Sequence, residues 1–490
     1  MLGTPQEAQA VTPAQLKEYS QEFNADRANR VAANAATSAG VLEAATSYRG
    51  MRALPRTFSV ELRQGSITNQ KRSGRCWMFA SLNTLRYELM HRWNLEDFEF
   101  SESYLFFYDK LEKANFYLEN VLATLDEPTD GRLFQEINAG PADDGGWWQM
   151  FADLVAKYGL VPKDAYPDTA NAEDSGAFVQ YLNTKLREFA AELREAHRTG
   201  TSADGLRARK HDMMAVVYRI CAIALGEPPE RFDLLLRVKD DATSGEAGDG
   251  AKAAKDTKDT KDATAAKAPE DPSKRGIDAR RQIVEHGITP RAFYERYVGV
   301  DPDGFVTLVN APLADRPFYR RYQLAYTGNV AGAGLMDFVN VPLEVFRRAA
   351  VDQLQAGHPI WFACDCTQFA LRRAGIFDRA TVRVDELFGT EFTFDKGQGL
   401  EYGDSPSNHA MTLTGVNLGP DGVPDRWKVE NSWGKDNGDD GYFVASADWF
   451  DRFAQEIVIR REFLDEATKA AADGEATVLD PWEPLSRVCR

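Results

Sequence analysis

One cysteine, one histidine and two side-chain amides in this chain are of the types, and lie in the local patterns, that acyl transfer needs. The cysteine is Cys76, in the run Gln70-Lys71-Arg72-Ser73-Gly74-Arg75-Cys76-Trp77-Met78-Phe79-Ala80. A thiolate is the competent nucleophile, and a free thiol is mostly protonated at neutral pH. Placing it at the positive end of a helix, beside an imidazole, favours the thiolate. A single cysteine is as often a small buried hydrophobe, so its partners decide. His409 lies in Ser407-Asn408-His409-Ala410-Met411-Thr412-Leu413, and Asn431 in Val429-Glu430-Asn431-Ser432-Trp433-Gly434. An imidazole can activate the thiol, and an amide can hold that imidazole in one tautomer. Gln70, upstream of the cysteine, can join the Cys76 peptide N–H as an oxyanion hole. Of the six histidines, only His409 is followed by an Asn-Ser-Trp-Gly run on the next expected strand.

These residues need a helix and a hairpin to position them. Met78, Leu82, Leu85 and Leu89 recur at helical spacing, so a buried helix is expected to begin at or just before Cys76. His409 to Val416 alternates, Trp427, Val429 and Asn431 share one face, and Gly419-Pro420-Asp421-Gly422 is a turn signal between them. The resulting antiparallel hairpin can bring His409 and Asn431 together. Tyr442 to Val444 reads as a further short strand, as does the alternation of Phe58, Val60 and Leu62. Thr12 to about Ala45 reads as one or two surface helices, with others expected at Trp147–Lys157, Phe178–Glu195 and Leu206–Leu225. Between Asp241 and Gly276 there is no Val, Ile, Leu, Met or aromatic residue. Such a stretch cannot offset its ordering entropy by burial, and disorder is expected there.

Composition narrows the function. The chain has 490 residues, 43% of them hydrophobic, enough for two or three structural units. A net charge of −17 opposes nucleic-acid binding, which needs clustered Lys and Arg. The first residues lack the basic-then-apolar pattern of a secretory signal, and no run approaches the roughly 18 apolar residues of a membrane span. Five scattered cysteines do not suggest a disulfide framework, so a cytoplasmic location is expected. Cys364 and Cys366 have no second pair at zinc spacing, Cys221 reads as packing, and Gly332-Ala333-Gly334 lacks a phosphate-binding frame. Neither a metal nor a cofactor is expected.

The Gly-x-Cys-Trp, His-Ala and Asn-Ser-Trp-Gly elements resemble the papain superfamily of cysteine peptidases. Finer matches resemble its bleomycin hydrolase/aminopeptidase C branch: Thr68-Asn69-Gln70-Lys71, Tyr104 through Lys110, Glu112-Lys113-Ala114-Asn115, Asp144-Gly145-Gly146-Trp147 and Trp361 through Asp365. In small secreted papain-like enzymes the histidine follows the cysteine by about 130–150 residues. Here it follows by 333, which leaves room for a large, mainly helical insertion.

The resemblance implies an α+β papain-like fold of two subdomains, a helical left half and a β-barrel-like right half, with helical insertions. It implies Cys76 as nucleophile, His409 as general base and acid, Asn431 as orienter and Gln70 as oxyanion donor. Trp433 would shield the His409–Asn431 bond, and Gly145 and Gly146 would offer backbone to an extended peptide substrate. The ending Pro481-Trp482-Glu483-Pro484-Leu485 resembles a family tail that lies in the active-site cleft, where the terminal carboxylate meets the substrate's ammonium group. If a final basic residue, Arg490, is trimmed, Cys489 carries that carboxylate, and oxidation could then join it to Cys76. The implied assembly is a homohexamer.

The expected divisions are a helical segment at 1–50, a helical subdomain with the nucleophile at 51–240, and the disordered insertion at 241–276. The rest of the inserted region follows at 277–350, a β-rich subdomain with His409 and Asn431 at 351–470, and the tail at 471–490. The expected activity is that of a cysteine aminopeptidase. An endopeptidase or carboxypeptidase is the alternative if the tail does not dock, and a non-catalytic binding protein on a peptidase fold is a more distant one.

Overall fold

In the computed structural model, which describes residues 10–239, 264–266 and 281–489, helices dominate the first half and strands the second. The helix Cys76–Trp93 is the axis of the first half. It is buried nearly all round, its polar Ser81, Asn83, Thr84 and Arg86 included. Its residues pack with those of the helices Glu102–Ala123, Trp148–Tyr158, Gly176–Arg198 and Ala203–Leu225. Met78, Leu85, Phe106, Phe107, Phe151, Leu186 and Val217 share that one core. The three helices expected in the middle of the chain thus form close to the expected limits. Pro13–Ala25 and Arg27–Ala39 are the expected surface helices, started by Thr12 in a capping box with Gln15 and by the Asp26 side chain.

The strands are, in chain order, β1 (Val60–Glu61), β2 (Phe232–Arg237), β3 (Thr264–Ala266), β4 (Gln282–Ile288), β5 (Phe305–Val309), β6 (Arg320–Leu324) and β7 (Asp337–Asn340). The second half supplies β8 (Ile360–Cys364), β9 (Ala370–Leu371), β10 (Ile376–Phe377), β11 (His409–Leu418), β12 (Pro424–Glu430), β13 (Tyr442–Ser446), β14 (Ala454–Arg460) and β15 (Thr477–Leu479). Twelve of them form one sheet in the order β15-β6-β7-β5-β14-β8-β11-β12-β13-β10-β9, with β1 added to β11, and β2-β4-β3 form a separate small sheet. A second core of Leu308, Phe346, Phe362, Met411, Trp427, Val429, Trp449 and Ile457 packs on this sheet. The fold class is therefore the expected α+β.

The expected hairpin is β11–β12, paired Thr412 to Glu430 and Leu413 to Val429, with a register shift between Leu413 and Gly415. Its turn closes through the Gly419 N–H on the Val423 carbonyl at 2.8 Å. Two other segments differ from their reading. The stretch 277–350, expected as the remainder of an insertion, contributes β5, β6 and β7 to the large sheet. The segment 241–276 lies outside the described residues except for Thr264–Ala266, which pair with β4 rather than standing unstructured.

The C-terminal segment is held at several points along its length. β15 pairs in parallel with β6, and a 3-10 turn at Pro484–Cys489 follows. Leu485 is fully buried among Val309, Leu324, Phe338 and Leu479, with Trp147 against the same cluster. Glu483 pairs with Arg316, and the guanidinium of Arg132 lies 4.7 Å from the Trp482 ring centre.

Candidate active site

The helix Cys76–Trp93 starts with Arg75 at its N-cap, and that side chain does not cap it. Its first N–H groups are left for another acceptor. The Cys76 sulfur takes that place: the peptide N–H groups of Trp77, of Cys76 itself and of Ala410 face it and favour the thiolate. Burial outweighs them and, with the charge of Asp144, pushes the thiol up from its ordinary value. Ala410 follows His409 on β11, so the strand that brings the imidazole also brings an N–H to the sulfur. Two side chains fix this docking: Thr412 donates to the Ala80 carbonyl at 3.2 Å, and Trp361 Nε1 to the Trp77 carbonyl at 3.0 Å.

His409 is buried, with Nε2 2.9 Å from Asn431 Oδ1. The Ser432 peptide N–H donates to that same oxygen at 2.8 Å, which fixes which end of the amide faces the ring. His409 therefore carries its proton on Nε2 and leaves Nδ1 as the ring's acceptor. Trp433 stacks on the imidazole, centroids 4.7 Å apart and planes 26° inclined. Burial, opposed by the Asn431 bond and helped by the charge of Arg372, pushes the imidazole down to about 4. Each group thus resists becoming charged alone.

Gln70 belongs to the same unit. Residues 68–70 run antiparallel to 432–434, joined by Gln70 N–H to the Ser432 carbonyl at 2.8 Å and Gly434 N–H to the Thr68 carbonyl at 3.1 Å. Gly434 has φ +76°, and a Cβ there would meet Asn69 Nδ2 at 2.5 Å, so the pairing requires glycine. Ser432 Oγ donates to Gln70 Oε1 at 2.7 Å, and Gln70 Nε2 donates to the Ser73 carbonyl at 2.8 Å. A primary amide has two N–H groups, so one is not used by these bonds.

Buried ions brace the loops on either side. Arg75, fully buried, pairs with Asp168 at 3.1 Å and donates to Ser73 Oγ at 2.9 Å and Ser103 Oγ at 3.1 Å. Asp168 is pushed down to about 2: the charges of Arg75 and Lys163 overcome its burial. Arg86, on the helix of Cys76, pairs at 2.9 Å with Glu430, which directly precedes Asn431, and so ties the helical half to β12. On the other wall Lys110 pairs with Asp144 at 2.8 Å, and Lys113 donates to the carbonyls of Asp143 and Gly145. Trp77 Nε1 donates to the Asp144 carbonyl at 2.7 Å, and a Cβ on Gly146 would meet the Trp77 ring at 2.6 Å.

The structure thus gathers Cys76, His409, Asn431, Gln70, Trp433, Gly145 and Gly146 into one region. Gly145, Gly146 and Trp147 line a cleft together with Pro481 and Ser486 of the tail. Arg490 and the side chain of Cys489 lie outside the described residues, as does the expected contact between Cys489 and Cys76. Cys76, Cys221, Cys364 and Cys366 are unbridged. Among the described residues no His, Cys, Asp and Glu cluster is arranged to hold a metal ion, and no helix is long and apolar enough to cross a membrane. Sequence reasoning missed Ser432, Lys113 and the Arg75–Asp168 pair. Ser432, Arg75 and Lys113 stood inside runs already singled out, whereas no local signal marked Asp168.

The chain is similar to known proteins along most of its length. The profile of the Peptidase C1-like family matches residues 10–248 and 278–486. Aminopeptidase C of Lactobacillus delbrueckii subsp. lactis is 37% identical, with 96% of each chain covered. Aminopeptidase C of Streptococcus thermophilus is 36% identical over 92% of this chain and 93% of its own. The crystal structure of PepW from Lactobacillus rhamnosis HN001 superposes with a TM-score of 0.87 at 37% identity, covering 97% of this chain and 99% of the other.

Proposed function

Since the chain belongs to the Peptidase C1-like family, we propose that it is a cysteine aminopeptidase, which removes residues from peptide N-termini through an acyl-enzyme on Cys76. The observation that carries the reading is the joint placement of the thiol at an uncapped helix start and an imidazole locked by Asn431. The aminopeptidase C relatives, similar along nearly the whole chain, support the exopeptidase choice over the other peptidase classes.

In this mechanism His409 Nδ1 takes the Cys76 proton as sulfur attacks the first peptide carbonyl. The oxyanion is held by the free Gln70 N–H and the Cys76 N–H. Collapse breaks the C–N bond, and His409 returns the proton to the leaving amine. Water, deprotonated by the same imidazole, then hydrolyses the thioester and restores the thiol. Gly145 and Gly146 bind the extended backbone of the substrate.

The tail restricts the enzyme to chain ends. Leu485 pins it, Glu483 clasps Arg316, and its 3-10 turn runs against β8, whose end pairs with His409. A chain ended at Ser486 keeps the Leu485 anchor but moves the terminal carboxylate. It should cleave an N-acetylated aminoacyl amide that the full chain leaves intact, and equal strictness in both would remove the tail from the account.

The assembly we propose is a cytoplasmic homohexamer. Its support is the family resemblance, the unbridged cysteines, and the exposed Leu16, Tyr19 and Phe23 on the first helix, which are spaced as one apolar stripe. Light scattering on the purified chain should give six copies, and a monomer would contradict it.

A further inference from the structure

Arg372 is a cation that the mechanism above leaves unused. Its guanidinium carbon lies 4.7 Å from the centre of the Trp433 ring, and His409 stacks on that same indole at 4.7 Å. The guanidinium can therefore be no farther from the imidazole centre than those two distances laid end to end. Arg372 is exposed, and among the described residues its side chain makes no ion pair or hydrogen bond. The neighbouring loop, whose Gly438 N–H bonds the Arg372 carbonyl, carries Asp436, Asp439 and Asp440; of these, Asp439 lies 4.0 Å from Arg56 instead. Its charge is felt at His409 and at Cys366. A guanidinium over an indole is held in place by cation–π attraction while its N–H groups stay available, which suits bidentate recognition of a carboxylate.

The chemistry fixes which part of a substrate meets it. The leaving amine takes its proton from His409, so the residue after the scissile bond departs on the imidazole side, next to Trp433, over whose ring Arg372 lies. In a dipeptide that residue carries its carboxylate carbon about 2.5 Å from the departing nitrogen. We propose that Arg372 binds a carboxylate on the leaving residue, either the α-carboxylate of a dipeptide or the side chain of Asp or Glu, and so favours these substrates. This inference rests on the aminopeptidase reading and adds a specificity to it.

The test is release of alanine from Ala-Ala, from its C-terminal amide, and from Ala-Asp-amide and Ala-Asn-amide, by the full chain and by two variants. Arg372→Gln keeps a planar group on Trp433 without charge, and Arg372→Lys keeps charge without the fork. In Arg372→Gln the ratio of kcat/KM for Ala-Ala to that for its amide should fall about 3–10-fold, mostly through KM, with Arg372→Lys in between. A fall confined to this ratio assigns the α-carboxylate, and a fall confined to the Asp-to-Asn ratio assigns the side chain. Both ratios unchanged would overturn the proposal. So would equal losses on acids and amides with a shifted pH profile, because Arg372 would then act only on His409 through Trp433. A wild type that released alanine from none of the four would refute the aminopeptidase reading first, and this inference with it.

Discussion

Replacing Gln70 by alanine should separate two properties of this site that most substitutions lower together. Gln70 Oε1 is held by Ser432 Oγ at 2.7 Å and its Nε2 by the Ser73 carbonyl at 2.8 Å, so the remaining N–H has a fixed direction. Loss of one preorganised oxyanion donor costs about 2.7–4 kcal/mol of transition-state stabilisation, a fall of roughly 10²–10³ in kcat. The thiol keeps its own surroundings, because the N–H groups that face it belong to Cys76, Trp77 and Ala410. Alkylation of Cys76 by iodoacetamide is a displacement at carbon with no oxyanion, so its rate should change by no more than about twofold. The paired assay is kcat on an aminoacyl fluorogenic amide and the second-order alkylation rate, with a thermal melt to show that the buried Ser73 and Ser432 partners still fold. Parallel falls in hydrolysis and alkylation would refute the reasoning, since Gln70 would then act on the thiol. A loss in kcat below about fivefold would refute it equally.

Three further outcomes are expected. In Cys76→Ala the imidazole loses the thiolate that can accompany its charge, and burial alone should hold His409 down to about 4. An NMR titration showing His409 protonate near its ordinary 6.5 would contradict that cause. Asp168→Ala leaves Arg75 buried without its counter-ion, which should lower unfolding stability at pH 7 by about 3–5 kcal/mol in urea; a change under about 1 kcal/mol would mean that water replaces the carboxylate. Leu485→Ala removes a fully buried anchor worth about 2–5 kcal/mol of packing. The variant should become susceptible to proteolysis at its C-terminus and begin to cleave N-acetylated substrate, and unchanged behaviour in both would place the restriction elsewhere.

The parts of the site that read clearly from the sequence were those encoded by local periodicity. Helical spacing after Cys76 placed the thiol at a helix start, and alternation on both sides of a Gly-Pro-Asp-Gly turn brought His409 to Asn431. Other features depended on partners far away in the chain. Arg86 meets Glu430, and Arg75 meets Asp168, across separations that no local pattern records. The strands β5 and β6, with β7 between them, sit in a stretch expected to be inserted, because β14 and β15, which pair with β5 and β6, come more than a hundred residues later. Arg372 belongs to no sequence pattern; the β9–β10 turn alone sets it over Trp433. The burial of Leu485 was not legible either, because it fills an apolar cluster that exists only once β5, β6 and β7 are paired.

The central claim is that Cys76 performs aminopeptidase chemistry at a free N-terminus. Its most direct test is the rate of fluorophore release from one aminoacyl amide in free-amine and N-acetylated form, by the full chain and by Cys76→Ser. Rapid release from the free amine alone, abolished in Cys76→Ser, is the expected result. Undiminished activity in Cys76→Ser would contradict the assignment of the nucleophile, and equal rates on both substrates would contradict restriction to chain ends.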